Sequence, residues 1–184
     1  MVKMNKYEKL FDATAYILYQ NDKSMNYVKL IKELYFADRE ALKQKGFSIT
    51  GDEYYSMKEG PVLSTLYYLI KGKYSNLEIQ KAWNELFVTD IKTRSISIIK
   101  DNFYKKSLSP NEKKILDNYS SKFKDLTCEE VVNNYAHNPK FCPEWEKPIG
   151  TRKRLSLETI LHYLDFSPEE IKVVINENNY YANR

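Results

Sequence analysis

The stretch Leu30–Ile70 constrains this chain most, because its local periodicity changes at sharply marked points. Tyr27, Leu30, Ile31, Leu34, Tyr35, Ala41 and Leu42 recur at helical spacing, which predicts an amphipathic helix with that face buried. Lys29, Lys32, Glu33, Arg39, Glu40 and Lys43 fall on the opposite side and are predicted to face water. Gly46 is placed to end the helix, as a residue that tolerates positive φ at C′ does. Thr50-Gly51-Asp52 turns the chain, and Tyr54–Met57 suits a short strand. Proline fixes φ near the helical value and donates no hydrogen bond, so Gly60-Pro61 is expected to be a corner opening the next helix.

The rest of the chain supports that stretch. Lys6–Tyr19 is predicted to be a helix burying Tyr7, Leu10, Phe11, Thr14, Ile17 and Leu18, and Ser24 is the expected N-cap of the central helix. Ser75-Asn76 can cap another short helix, containing Leu77, Ile79, Ala82 and Trp83. Phe87–Ile91 and Ser95–Ile99 suit a hairpin, the second run alternating Ser and Ile. An isolated hairpin is marginal in water, so it is expected to pair with Tyr54–Met57 in one small antiparallel sheet. Ser109, Thr127 and Ser167 each stand three residues before a glutamate, the spacing of a capping box, and Ser156 is a further N-cap. Asn138–Gly150 holds three prolines and is expected to be an irregular connection, with two more helices beyond Thr151. The fold expected is mainly α, a single helical domain with a small inserted antiparallel sheet. Residues 1–150 form its body, and 151–184 a helical extension packed on it.

Several function classes find no support in the sequence. Lys71-Gly72-Lys73 is not a phosphate-binding loop, because Tyr67 stands where its first glycine belongs and Tyr74 replaces the hydroxyl that would hold magnesium. No nucleophile elbow, zinc-protease helix or dinucleotide fingerprint is present. Cys128, His137 and Cys142 lack the close ligand pair that preorganises a zinc site, so no metal and no cofactor is expected. As a nucleophile, Cys128 at a helix start would have a lowered pKa, although a small half-buried cysteine is the commoner outcome. Two cysteines are too few for a disulfide framework. The N-terminal residues lack the pattern of a leader peptide, and the longest apolar run, Val62–Ile70, is far short of a membrane span, so a cytoplasmic protein is expected. Net charge is +4, with short basic clusters at Lys105-Lys106, Lys113-Lys114 and Arg152-Lys153-Arg154, better read as solvated surface than as phosphate contacts.

Leu34-Tyr35-Phe36-Ala37-Asp38, Thr50-Gly51-Asp52-x-Tyr54 and Lys58-x-Gly60-Pro61-Val62 occur in order, followed by Leu108-Ser109-x-x-Glu112, His137 and Trp145. Over residues 6–145 this order resembles the Panacea (SocA-like antitoxin) domain. The resemblance implies a non-catalytic protein–protein interaction module, the antitoxin of a prokaryotic or phage toxin–antitoxin pair. Its partner would be a cognate toxin, with an AAA+ protease as a second partner where neutralisation works by degradation.

The positions the resemblance singles out are Tyr35, Asp38, Gly51, Asp52, Tyr54, Lys58, Gly60, Pro61, His137 and Trp145, in structural or partner-binding roles. Asp38 and Arg39, with Asp52 and Glu53, read as a polar cluster bracing the turn better than as an acid–base pair. Lys58 and Glu59 are candidates for a surface that a partner reads. His137 suits a hydrogen bond with Trp145 packed alongside, the alternative being a partner contact. Of the 16 tyrosines, some among Tyr54, Tyr55, Tyr67, Tyr68 and Tyr180-Tyr181 are expected to cluster at the surface, where tyrosine gives large contact area at low entropic cost. The competing functional class is a nucleic-acid-binding regulator or phage accessory protein. The sequence offers no helix-turn-helix and no concentrated basic face for it.

Overall fold

A computed structural model of the chain describes residues 5–100 and 107–182. Helix α1 (Asn5–Gln20) buries Leu10, Phe11, Ile17 and Leu18. Thr14 is buried with them because its hydroxyl donates to the Leu10 carbonyl at 2.8 Å. A short strand, β1 (Ser24–Asn26), follows and leads directly into α2 (Tyr27–Lys45). The cap of α2 is therefore Asn26 and not Ser24. Asn26 Oδ1 accepts from the amides of Val28 and Lys29, while Ser24 is engaged in strand pairing. Gly46 closes α2 by donating its amide to the Leu42 carbonyl.

The predicted apolar face of α2 is buried, and so is much of the face predicted to be solvated. Lys32 and Glu33 are each only 1% exposed, because α2 is enclosed by α1, by strand β3 (Gly60–Leu63) and by helix α5 (Pro110–Phe123). Leu34 of α2 lies in the same buried core cluster as Leu66, Ile115, Leu116 and Phe123.

Two small antiparallel sheets replace the single one expected. The hairpin β4 (Phe87–Asp90) and β5 (Ser95–Ile98) forms as predicted, but β5 pairs with β1, in the order β1-β5-β4. Strand β2 (Tyr54–Met57) instead forms its own hairpin with β3 across the two-residue turn Lys58-Glu59. Its other edge pairs with β6 (Arg152–Leu155), giving the order β3-β2-β6. Gly60-Pro61 is thus strand and not helix start. Proline is tolerated there because β3 is an edge strand, where a missing N–H breaks no ladder bond.

Helix α3 (Ser64–Ile70) begins three residues beyond Pro61. Helix α4 (Leu77–Asn84) is capped by Asn76, the second residue of the predicted Ser75-Asn76 pair. The capping boxes at Ser109, which opens α5, and at Thr127, which opens α6 (Cys128–Val131), are both formed. Helix α6 runs on into a π-helical turn (Val132–Ala136). Ser156 caps α7 (Leu157–His162), and the Ser167–Glu170 pair closes the box at the start of α8 (Pro168–Ala182). The segment beyond Thr151 therefore supplies a sheet strand as well as two helices. Asn178 of α8 also reaches the Gly46 carbonyl at 2.8 Å, tying the last helix to the end of α2.

Gly60 is the least replaceable backbone position in the β2–β3 hairpin. Its φ is +101°, and an added Cβ would lie 2.7 Å from the Ala136 methyl group and 3.2 Å from Lys32 Nζ. Gly51 has φ +66° but open space around it. Gly60→Ala should lose at least ~2 kcal/mol from backbone strain and overpacking together. Gly51→Ala should lose only about 1 kcal/mol, the cost of a left-handed residue alone. Urea midpoints of the two variants test this, and equal losses would refute the close packing assigned to Gly60.

Candidate functional site

Asp38 sits at the centre of the residues singled out in the sequence. It is fully buried on α2, and each carboxylate oxygen receives two hydrogens. Oδ1 accepts from the amides of Ile49 (2.9 Å) and Thr50 (3.0 Å). Oδ2 accepts from the hydroxyls of Thr50 (2.5 Å) and Tyr54 (3.0 Å). Burial pushes the Asp38 carboxyl up to about 7, against the pull of those donors. Asp52 does a similar task one turn later. Its oxygens accept from the amides of Glu53, Thr65 and Leu66, so it caps α3 from outside the helix. Gly51, between the two aspartates' partners, donates its amide to Ser48 Oγ. Burial raises Asp52 as well, opposed by the Thr65 and Leu66 amides. The Asp38 oxygens are committed to holding the loop between α2 and β2, and those of Asp52 to tying that loop to the start of α3, a bracing role for both.

Tyr35 donates to Glu144 Oε1 at 2.7 Å, and Arg39 grips the same carboxylate with Nε at 2.7 Å and Nη2 at 3.3 Å. This ion pair, between a half-buried arginine and a buried glutamate, pins the proline-rich connection onto α2. Burial works against the Arg39 charge, but Glu144 more than restores it and raises its pKa. His137 stacks on Trp145 with centroids 4.1 Å apart and planes 18° apart, and the indole donates to the Met57 carbonyl at 3.0 Å. Burial lowers the His137 pKa, a hydrogen bond with the Lys58 backbone opposes that, and Nε2 is buried without a partner. The two rings thus brace the β2–β3 hairpin. Lys58 and Glu59 form its exposed tip and not a strand-to-helix junction, and Glu59 pairs with Arg94 of the other hairpin at 2.8 Å.

The cysteines do not form a reactive site. Cys142 is buried, Cys128 half-buried, and burial pushes both thiols up, so the lowered pKa expected for Cys128 is reversed. Among the described residues no cluster of His, Cys, Asp and Glu is arranged to hold a metal ion. Of the surface tyrosines, Tyr54 is buried, whereas Tyr55, Tyr67 and Tyr68 stand half-exposed together. Tyr180 is exposed on α8, and the side chain of Tyr181 lies outside the described residues, as do Lys105 and Lys106. Of the Arg152–Arg154 cluster, Lys153 pairs with Glu146 and Arg154 with Glu53.

Residues 30–146 match the antitoxin SocA-like, Panacea domain family. The chain belongs to that family. No curated protein and no solved structure matches it. The matched segment of this Panacea protein begins within α2 and ends just after Trp145, so α1, β1, β6, α7 and α8 lie outside it. The family assigns the chain a role related to toxin–antitoxin systems.

Three buried ionisable residues of this Panacea domain had no sequence signal. Glu144 lies in a stretch without periodicity. Lys32 and Glu33 sit on what helical spacing marks as the wet face. Lys32 Nζ donates to the Pro61 carbonyl at 2.8 Å, and burial lowers its pKa to about 7. Glu33 accepts from Ser120 Oγ at 3.1 Å through Oε2 only, leaving Oε1 without a partner. Burial raises Glu33 to about 7, opposed by the Lys29 charge and the Ser120 bond. Folding therefore takes up a proton here between the ordinary value of 4.5 and about 7. Stability from this group is full below that window and is lost as pH rises through it, by up to ~3 kcal/mol. The advantage of Glu33→Gln over wild type should grow by up to that ~3 kcal/mol between pH 5 and pH 8. Urea unfolding at both pH values measures it, and a pH-independent difference would refute a buried, proton-binding Glu33.

Proposed function

We propose that this protein is the antitoxin of a toxin–antitoxin pair, acting in the cytoplasm without chemistry of its own. It covers its toxin directly or delivers it to an AAA+ protease. The observation that carries this reading is the family match over residues 30–146, the segment that builds the buried scaffold. The fate of the polar residues supports it. Asp38, Asp52 and Glu144 spend their oxygens on internal donors, so recognition falls to the surface. No helix among the described residues is long and apolar enough to cross a membrane. A nucleic-acid regulator gains little from the basic run on β6, since Lys153 and Arg154 are already paired with glutamates.

The test is growth of cells expressing the neighbouring gene with and without this protein. Coexpression should rescue growth, and the two products should co-purify. If the mechanism is degradation, the toxin's level should fall only when the protease is present. A neighbour that is harmless alone, or that stays lethal when both are made, would refute the antitoxin reading for that pair.

A further inference from the structure

A row of alternating rings and cations runs from the end of α3, where Lys71 covers the buried Tyr27, onto the outward face of the β3-β2-β6 sheet. Lys71 Nζ lies 5.7 Å from the centre of the Tyr67 ring and 4.6 Å from that of Tyr27, and donates to the Tyr27 hydroxyl at 2.8 Å. Tyr67 meets Tyr68 edge-on at 5.5 Å. The Arg152 guanidinium comes next, 5.5 Å from the Tyr68 ring and 4.7 Å from the Tyr55 ring, with Nη1 donating to the Tyr68 hydroxyl at 2.5 Å. Met57 and Val62 line the notch beside these rings. Sheet register explains the meeting: Tyr55 stands opposite Val62 on one side, and Met57 opposite Arg152 on the other.

Charge distinguishes this row from the rest of β6. Of three consecutive cations, Lys153 and Arg154 each have a glutamate, whereas Arg152 has no carboxylate partner among the described residues. Lys71 likewise is held by a hydroxyl and rings, with no carboxylate partner among the described residues. Two cations are thus fixed in place by tyrosines with their charge uncompensated. A guanidinium held planar between rings is preorganised for bidentate capture of a carboxylate. Tyr, Met and Arg are also the residue types enriched where protein partners bury an anchor.

We infer that this row is the toxin-facing surface of the protein. It takes an acidic segment of the partner, with a carboxylate on Arg152 and an adjacent apolar side chain laid against the rings and thioether of Tyr55, Met57 and Tyr68. The inference rests on the antitoxin reading and deepens it. A nucleic-acid strand fits less well, because a face of each ring in the row is already taken by a cation or a neighbouring ring, where bases would need free stacking platforms. Arg152 also comes from outside the family-matched segment, so the surface is completed by a strand particular to the flanking region of this chain.

The experiment measures binding of the purified product of the adjacent gene by titration calorimetry, alongside growth rescue. Arg152→Lys, Arg152→Gln and Arg152→Glu should weaken binding progressively. The glutamate variant should lose at least ~10-fold in Kd and fail to rescue. Arg152 is exposed, so the melting temperatures should match wild type; if Arg152→Glu melts lower, Arg152→Gln decides. Lys172→Glu, the same charge change on an exposed position of α8, should bind as wild type does. Wild-type binding and rescue with undiminished affinity in Arg152→Glu would overturn this surface and leave the antitoxin reading standing. A wild type that neither binds nor rescues would overturn both. Loss of binding to labelled operon DNA or RNA in Arg152→Glu, with protein binding intact, would reassign the row to nucleic acid.

Discussion

The structure depends on a carboxylate kept away from water. Asp38 lies in the middle of the most buried helix, where an unpaired charge costs several kcal/mol. It is tolerated because four donors converge on it from the loop and strand that follow. The dependence runs both ways. The Ile49 and Thr50 amides are buried with it, and each would be left unsatisfied if the carboxylate were removed, at about 1–3 kcal/mol apiece. The path of the chain from α2 to β2 is thus set by hydrogen bonds to a single side chain. Asp52 repeats the device at the start of α3.

A second constraint is the buried edge of the β3-β2-β6 sheet. In a two-residue hairpin the pair next to the closing one turns its backbone groups outward. At Pro61 there is no N–H to satisfy, only a carbonyl, and it faces the flank of α2. Lys32 supplies the missing donor, and Gly60 leaves it room. This explains a lysine at 1% exposure more directly than any catalytic role. The opposite edge of the sheet, β6, is exposed and basic at Arg152 through Arg154, a pattern that discourages strand-to-strand aggregation.

Local signals were legible in the sequence where the physics is local. Helix caps at Asn76, Ser109, Thr127 and Ser156, and the glycine stop at Gly46, depend on residues within one turn of each other and form where spacing places them, whereas Ser24 lost the cap of α2 to Asn26 because it pairs with the distant Ser97. Strand partners depend on residues far apart, and there the reading failed. Tyr54–Met57 found Gly60–Leu63 and Arg152–Leu155, while the Ser-Ile strand found Ser24–Asn26. Nothing in Arg152-Lys153-Arg154 alternates, so β6 had no strand signature to read. The burial of Lys32 and Glu33 was hidden for a related reason. Helical periodicity tells two faces apart, but it cannot tell a helix packed on one side from one enclosed on nearly all sides.

That enclosure bears on function. A helix enclosed by α1, α5 and β3 keeps most of its side chains from a partner, and the buried Tyr35 and Asp38 within it shape what surrounds them. Asp38 fixes the loop, the loop positions Asp52, and Asp52 starts α3, the helix that carries Tyr67 and Tyr68 to the surface. His137 and Trp145 hold the hairpin whose strand carries Tyr55 and Met57 beside them. The same scaffold can therefore present different outer residues without altering its buried network. Arg152 enters from a strand beyond that network, and recognition can change there at little cost to the fold.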